Sequence, residues 1–81
     1  MTYQQQIIKE WESNGYLVLK TIRLNKSGYP DLMCLKDRQT VWIECKEAND
    51  KLSMLQKKRI LELRKLGFAA MALQKGKGLI F

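Results

Sequence analysis

The chain predicts one small α/β domain, a mixed sheet flanked by helices, and three observations carry that reading. Apolar residues recur at helical spacing near the start and again beyond Ser53. Runs rich in β-branched and aromatic residues, separated by turn residues, fill the stretch between. A further apolar run, Phe68 to Leu73, follows the second helical pattern. The order is therefore helix, three strands, helix, then one or two strands, spanning residues 1–81 as a single domain. A right-handed crossover through the second helix would bring Phe68–Leu73 back parallel to the third strand.

Each element has its own signal. Thr2 with Gln5 three residues on is a capping box opening a helix that runs through about Ser13, with Ile7, Ile8 and Trp11 as its apolar stripe. Asn14-Gly15 ends it. Tyr16 to Leu24 reads as a strand and Asn25-Lys26-Ser27-Gly28 as a loop. Tyr29–Leu35 and Thr40–Lys46 read as a hairpin around the polar turn Lys36-Asp37-Arg38-Gln39. Ser53 with Gln56 forms a second capping box, starting a helix from about Met54 to Leu66, and Gly67 stops it. Leu79-Ile80-Phe81 is a candidate last strand. Trp11, Phe68 and Met71 are expected in the core, and Arg64 and Lys65 on a solvated helix face.

Composition narrows the partners. A chain of 81 residues buries only about 60–65% of its unfolded surface, which makes oligomerisation plausible. Fifteen Lys and Arg against 8 acids give a net charge of +7, which favours a polyanion, nucleic acid first. No stretch approaches the roughly 20 apolar residues of a membrane span, and no signal-peptide pattern opens the chain. Cys34 and Cys45 should lie about 13 Å apart along the hairpin and stay reduced, as in the cytoplasm. With His 0 in the composition, imidazole bases, His-ligated zinc and Ser-His or Cys-His nucleophiles are excluded within one chain.

The chemistry concentrates on the hairpin. Either a two-residue loop at Asp37-Arg38 or a four-residue loop places Lys36 opposite Gln39 and Asp31 opposite Glu44. Strand alternation then puts Glu44 and Lys46 on the face of Asp31. Directly opposed carboxylates lie about 5 Å apart and repel unless a cation sits between them. A divalent ion held by oxygen ligands is the usual solution, and metal-assisted hydrolysis the chemistry it implies. The plain alternative is a pair of acids on a solvated face, neutralised by lysines. Against it, Glu44 adjoins Val41-Trp42-Ile43, where an unpaired acid is costly to bury.

Gly28-Tyr29-Pro30-Asp31 followed by Glu44-Cys45-Lys46 resembles the signature of the PD-(D/E)XK nuclease superfamily. With Leu52-Ser53-Met54-Leu55-Gln56 and Leu63-Arg64-Lys65-Leu66-Gly67-Phe68, the chain resembles a virus-type replication-repair nuclease (VRR-NUC) domain over nearly its whole length. The resemblance implies a restriction-endonuclease-like αβββαβ core and a homodimeric, Mg²⁺-dependent endonuclease, Mn²⁺ substituting, that acts on branched DNA such as Holliday junctions. It implies a bacterial or phage-infected host cytoplasm. Carried over by position, Asp31, Glu44 and the backbone carbonyl of Cys45 would hold the metal. Lys46 would orient or activate the attacking water, and Gln56 would support the site. Related domains carry a glutamate early in the first helix, where this chain has Tyr3-Gln4-Gln5-Gln6; Glu10 is the nearest acid and a candidate third ligand.

DNA contacts are expected from Lys20, Arg23 and Lys26 before the Gly28-Tyr29 turn, extended by Lys51, Lys57 and Lys58. Tyr29 can stack on a base or pack against the hairpin. A simple helix cap explains Gln56 equally well, and a salt bridge to Asp31 or Glu44 explains Lys46. Competing readings are a non-catalytic basic DNA-binding module, using the helix Met54–Leu66, and a toxin-like RNase using the same pocket.

Overall fold

The computed structural model describes residues 1–81. Helix α1 (Tyr3–Ser13) precedes strands β1 (Leu17–Lys20), β2 (Leu32–Lys36) and β3 (Gln39–Lys46); helix α2 (Met54–Lys65), β4 (Ala69–Gln74) and β5 (Gly78–Leu79) complete the chain. The five strands form one sheet in the order β1-β2-β3-β4-β5. All neighbouring pairs are antiparallel except β3 and β4, which run parallel as the crossover through α2 requires.

Both helices begin where the sequence says they should. Thr2 and Ser53 accept the N–H of Gln5 and Gln56, and each glutamine side chain reciprocates on the cap residue's own N–H. The hairpin closes through Asp37 (φ 51) and Arg38 (φ 65), so the two-residue turn is the one adopted, with a left-handed backbone at both positions. Its register is the expected one: Lys36 faces Gln39 and Leu32 faces Ile43.

The helices divide the sheet's two faces. On one, α1 lays Ile7 against Leu32, Cys34, Val41 and Ile43, with Trp11, Tyr16 and Met71 alongside. On the other, Ile60 and Leu63 of α2 pack on Ala70 and Ala72, bordered by Tyr29, Trp42 and Phe81. Small residues on β4 let α2 come close. It covers β3 and β4 but leaves the β1–β2 half open, where Leu17 and Leu19 are exposed.

Several expectations need correcting. β1 stops at Lys20 rather than Leu24, and β2 starts at Leu32 rather than Tyr29. The Thr21 N–H still reaches the Asp31 carbonyl at 2.8 Å, but on the β3 side Pro30 has no N–H to give, and the Cys45 N–H turns to the Asp31 carboxylate instead. Phe68 is 41% exposed and not in the core. Gly67 (φ 96) ends α2 with the Phe68 N–H bonded to the Leu63 carbonyl, which swings the ring to the rim of the sheet. Arg64 and Lys65 are exposed, as expected, though the Arg64 guanidinium also donates to the carbonyls of Ala70 and Phe81 and lies over the Phe81 ring. The final strand is Gly78–Leu79, displaced from Leu79–Phe81 by the positive φ of Gly76 and Gly78 in the turn.

Candidate active site

Asp31 precedes β2 and Glu44 lies near the end of β3, so the register extends to set the two acids opposite one another on the α2 face. Lys46, two residues on, brings its ammonium to 3.6 Å from the Glu44 Oε2. The Asp31 Oδ2 accepts the Cys45 N–H at 3.2 Å, which ties the acid to the strand opposite. From above, the Gln56 Nε2 donates to the Glu44 Oε2 at 3.3 Å while its Oε1 accepts from the Ser53 N–H at 2.9 Å. Capping and site support, alternatives in the sequence, are thus combined in one carboxamide.

Glu44 is the outlier of the group. Only 3% of its surface is exposed, and its Oε1 is buried with no hydrogen-bond partner. Burial first, then the Asp31 charge, push its carboxyl up to about 7, and Lys46 pulls the other way without prevailing. A buried acid with one bare oxygen, facing a second acid, fits a hard divalent cation. Asp31 and Glu44 are the two carboxylates placed to receive one. No group of three or more acidic or thiol side chains gathers here or elsewhere.

Glu10 is not among them. It is exposed and lines a groove with Trp11, Asn14, Tyr16 and Lys36, near the hairpin turn. Helix α1 starts beside the end of β3, where the Tyr3 N–H meets the Glu47 carboxylate at 3.3 Å. Each turn then carries the chain about 5.4 Å onward, and α1 lies on the opposite face of the sheet from Glu44.

Both cysteines are free. Burial pushes Cys34 up to about 11 and Cys45 up to about 12, so neither is a nucleophile at neutral pH.

The basic residues fall in two places. Arg23 and Lys26 are exposed on the loop between β1 and β2, which curls around a hollow of about 480 Å³ bounded by Thr21–Tyr29. Lys20 lies just before it, on the α1 face, opposite Leu32. Lys51 and Lys57 line a second groove with Lys77, and the Lys57 ammonium sits 6.0 Å from the Phe81 ring centre. Lys58 is exposed on α2. Tyr29 is held down: its hydroxyl donates to Glu62 and its ring lies 4.8 Å below the Arg59 guanidinium.

Sequence reading missed three contributors. The Thr21 hydroxyl donates to the Pro30 carbonyl and its N–H caps the Asp31 carbonyl, bracing the acid from β1. Gln74, buried beside Lys46 in the parallel register, directs its amide nitrogen at the carbonyls of Glu47, Ala48 and Asp50 and so pins the connector leaving the site. Arg59 donates to the Ser27 carbonyl at 3.0 Å and to Glu62 at 3.2 Å, strapping the basic loop to α2. A buried polar residue at the end of a parallel strand was the available signal for Gln74.

A family model for the VRR-NUC domain matches residues 2–75. Solved structures agree. One described as a VRR-NUC domain superposes with a TM-score of 0.75 at 28% identity, covering 86% of this chain and 77% of that one. A VRR-NUC domain protein gives a TM-score of 0.69 at 23% identity, covering 91% and 78%. Hjc of Archaeoglobus fulgidus, a Holliday junction resolvase, gives 0.69 at 18% identity, covering 89% of this chain and 64% of its own length; at that identity it shows the shared fold alone. No curated protein matches in sequence. With an acid pair and lysine in register, a capped glutamine above them and the family model matched across both, the chain belongs to the VRR-NUC family and has its nuclease fold.

Proposed function

We propose that this domain is a metal-dependent, structure-selective DNA endonuclease that hydrolyses phosphodiester bonds at branched DNA as a homodimer. The observation that carries this reading is the buried Glu44 carboxylate, with one oxygen unpartnered and Asp31 and Lys46 at its sides. Asp31, Glu44 and the Cys45 carbonyl are the residues that would hold Mg²⁺, or Mn²⁺ in its place. Such an ion, when bound, acidifies water and neutralises phosphate charge.

The chain's own groups do the rest. Lys46, a fixed cation in a largely desolvated niche, orients the attacking water and offsets charge developing on the phosphate oxygens. Gln56 holds Glu44 from the first turn of α2, whose N-terminal end favours an approaching phosphate. Arg23 and Lys26 on one side and Lys51 and Lys57 on the other supply backbone contacts, whereas Lys20, expected to join them, is carried on the α1 face away from the acids. In this reading water attacks directly, with no covalent intermediate: burial pushes both thiols up and the chain has no histidine. Branched DNA is supported by the shared fold with a Holliday junction resolvase. Dimerisation is supported by the open apolar half-face at Leu17 and Leu19. The chain has no helix long and apolar enough to cross a membrane.

A labelled four-way junction incubated with the protein should be nicked with Mg²⁺ or Mn²⁺ and left whole in EDTA. Binding that persists without any cut in saturating Mn²⁺ overturns the enzyme and leaves a basic DNA-binding module. Sedimentation of the free protein tests the dimer.

A further inference from the structure

Beside the acid pair lies a groove that shares only Lys26 with the proposed backbone contacts. Leu24, Asn25, Lys26, Tyr29, Trp42 and Leu63 enclose about 370 Å³ between the basic loop and the α2 face of the sheet. That falls in the size range of about 300–1,000 Å³ typical of small-molecule sites. Two aromatic rings contribute to its wall, Tyr29 and Trp42, with centroids 6.3 Å apart and planes tilted by 46°. Lys26 and Asn25 add a cation and an amide.

We propose that this groove receives an unstacked nucleobase of the DNA strand being cut. Two aromatic walls, an amide and a lysine at the rim match a base joined to a phosphate better than an uncharged apolar ligand, and the chain's charge of +7 favours the anion. Position supports this. Trp42 and Glu44 are alternate residues of β3 on one face, about 7 Å apart, and Tyr29 is two residues before Asp31. A base seated here therefore places its own backbone at the acids. Intact duplex hides its bases and must spend a few kcal/mol to extrude one, whereas a branch point offers one nearly free. The groove thus gives a physical basis for structure selectivity, and in that respect it rests on the nuclease reading.

The test separates the two. In a Trp11→Phe background Trp42 is the sole tryptophan, since the chain has Trp 2 in all. Its emission is followed on adding a short thymidine strand, or an abasic strand of the same length and charge, in EDTA. The base-bearing strand should quench Trp42 and bind about tenfold tighter than the abasic one. Leu24→Ala, on an exposed rim residue, should remove about threefold of that preference and leave abasic affinity unchanged. Equal quenching and equal affinity for both strands, or no response to either, overturns the groove. Junction cleavage by the unaltered chain in Mn²⁺ is scored separately: cutting with no base preference keeps the nuclease and loses the groove, and base preference without cutting does the reverse.

Discussion

The two helices of this domain open with the same device and use it for different ends. In α1, Thr2 and Gln5 cap each other and Gln5 is exposed, so its work is finished at the helix terminus. In α2, Ser53 and Gln56 cap each other with the same geometry, yet the spare N–H of Gln56 reaches the buried Glu44. The capping pattern is the same, a hydroxyl residue with glutamine three positions on. What differs is the surface each helix end meets: α1 begins over an apolar face closed by Ile7, Leu32 and Ile43, α2 over an acid with an unsatisfied oxygen. A capping box is thus a structural signal that becomes functional only through its neighbour, and four changes probe that difference.

The largest effect is expected at Lys46. Lys46→Ala removes the only cation paired to Glu44 and should lower junction cleavage by about 10²-fold or more, with junction affinity changed less than about threefold. Single-turnover rates and a binding isotherm measure the two parts. Wild-type cutting by the variant would remove Lys46 from the chemistry and leave only an ion pair beneath α2.

Glu44 gives the next. Its carboxyl stands at about 7 in the fold against an ordinary 4.5, so the fold favours the protonated form. Stability from that preference is complete below about pH 4.5 and lost as pH rises through 7, amounting to about 3 kcal/mol once the group is ionised. In EDTA, urea denaturation should therefore show the protein weaker at pH 8 than at pH 5. Glu44→Gln should flatten that dependence. Adding Mn²⁺ at pH 8 should restore stability to the unaltered chain and not to the variant. A flat pH profile for the unaltered chain would mean that Glu44 is already compensated.

Gln56→Glu then separates the cap from the pocket. Glutamate serves equally well at the third position of a capping box, so helix stability should hold. The donor to Glu44 is lost and a third carboxylate takes its place. Cleavage should fall about tenfold, in the range seen when partners of metal ligands are removed. Unchanged activity would reduce α2's opening to what α1's already is.

Much of this was legible in the chain. The hairpin register follows from the turn between Lys36 and Gln39, and strand alternation then brings Asp31, Glu44 and Lys46 to one face. Both helix starts were written in their caps. Illegible features were those depending on contacts across the fold. Nothing local says that Glu10 lies behind the sheet, that Gln74 turns back on the connector after Lys46, or that Arg59 and Glu62 hold the loop carrying Lys26. The strand lengths were not legible either: β-propensity over Tyr16–Leu24 outruns its partner, since β1 ends at Lys20 and β2 begins only at Leu32. Propensity marks where a strand can form, and the partner decides where it stops.

The smallest effect completes the comparison from the other helix. Gln5→Glu is the same chemical change as Gln56→Glu at an equivalent cap position. No acid occupies the first turn of α1, so the new charge meets the positive helix end unopposed within its own element. Its cap acceptor is retained. Stability should rise by about 0.3 kcal/mol at low salt, an increment that should fade as salt screens it, and cleavage should stay within experimental error of the unaltered chain. Thermal denaturation at two ionic strengths and a parallel junction assay read both. If Gln5→Glu impaired cleavage as Gln56→Glu does, the distinction between a cap that only ends a helix and a cap that also serves the acids would fail. The first turn of α1, with Tyr3 against Glu47 at the end of β3, would then belong to the site.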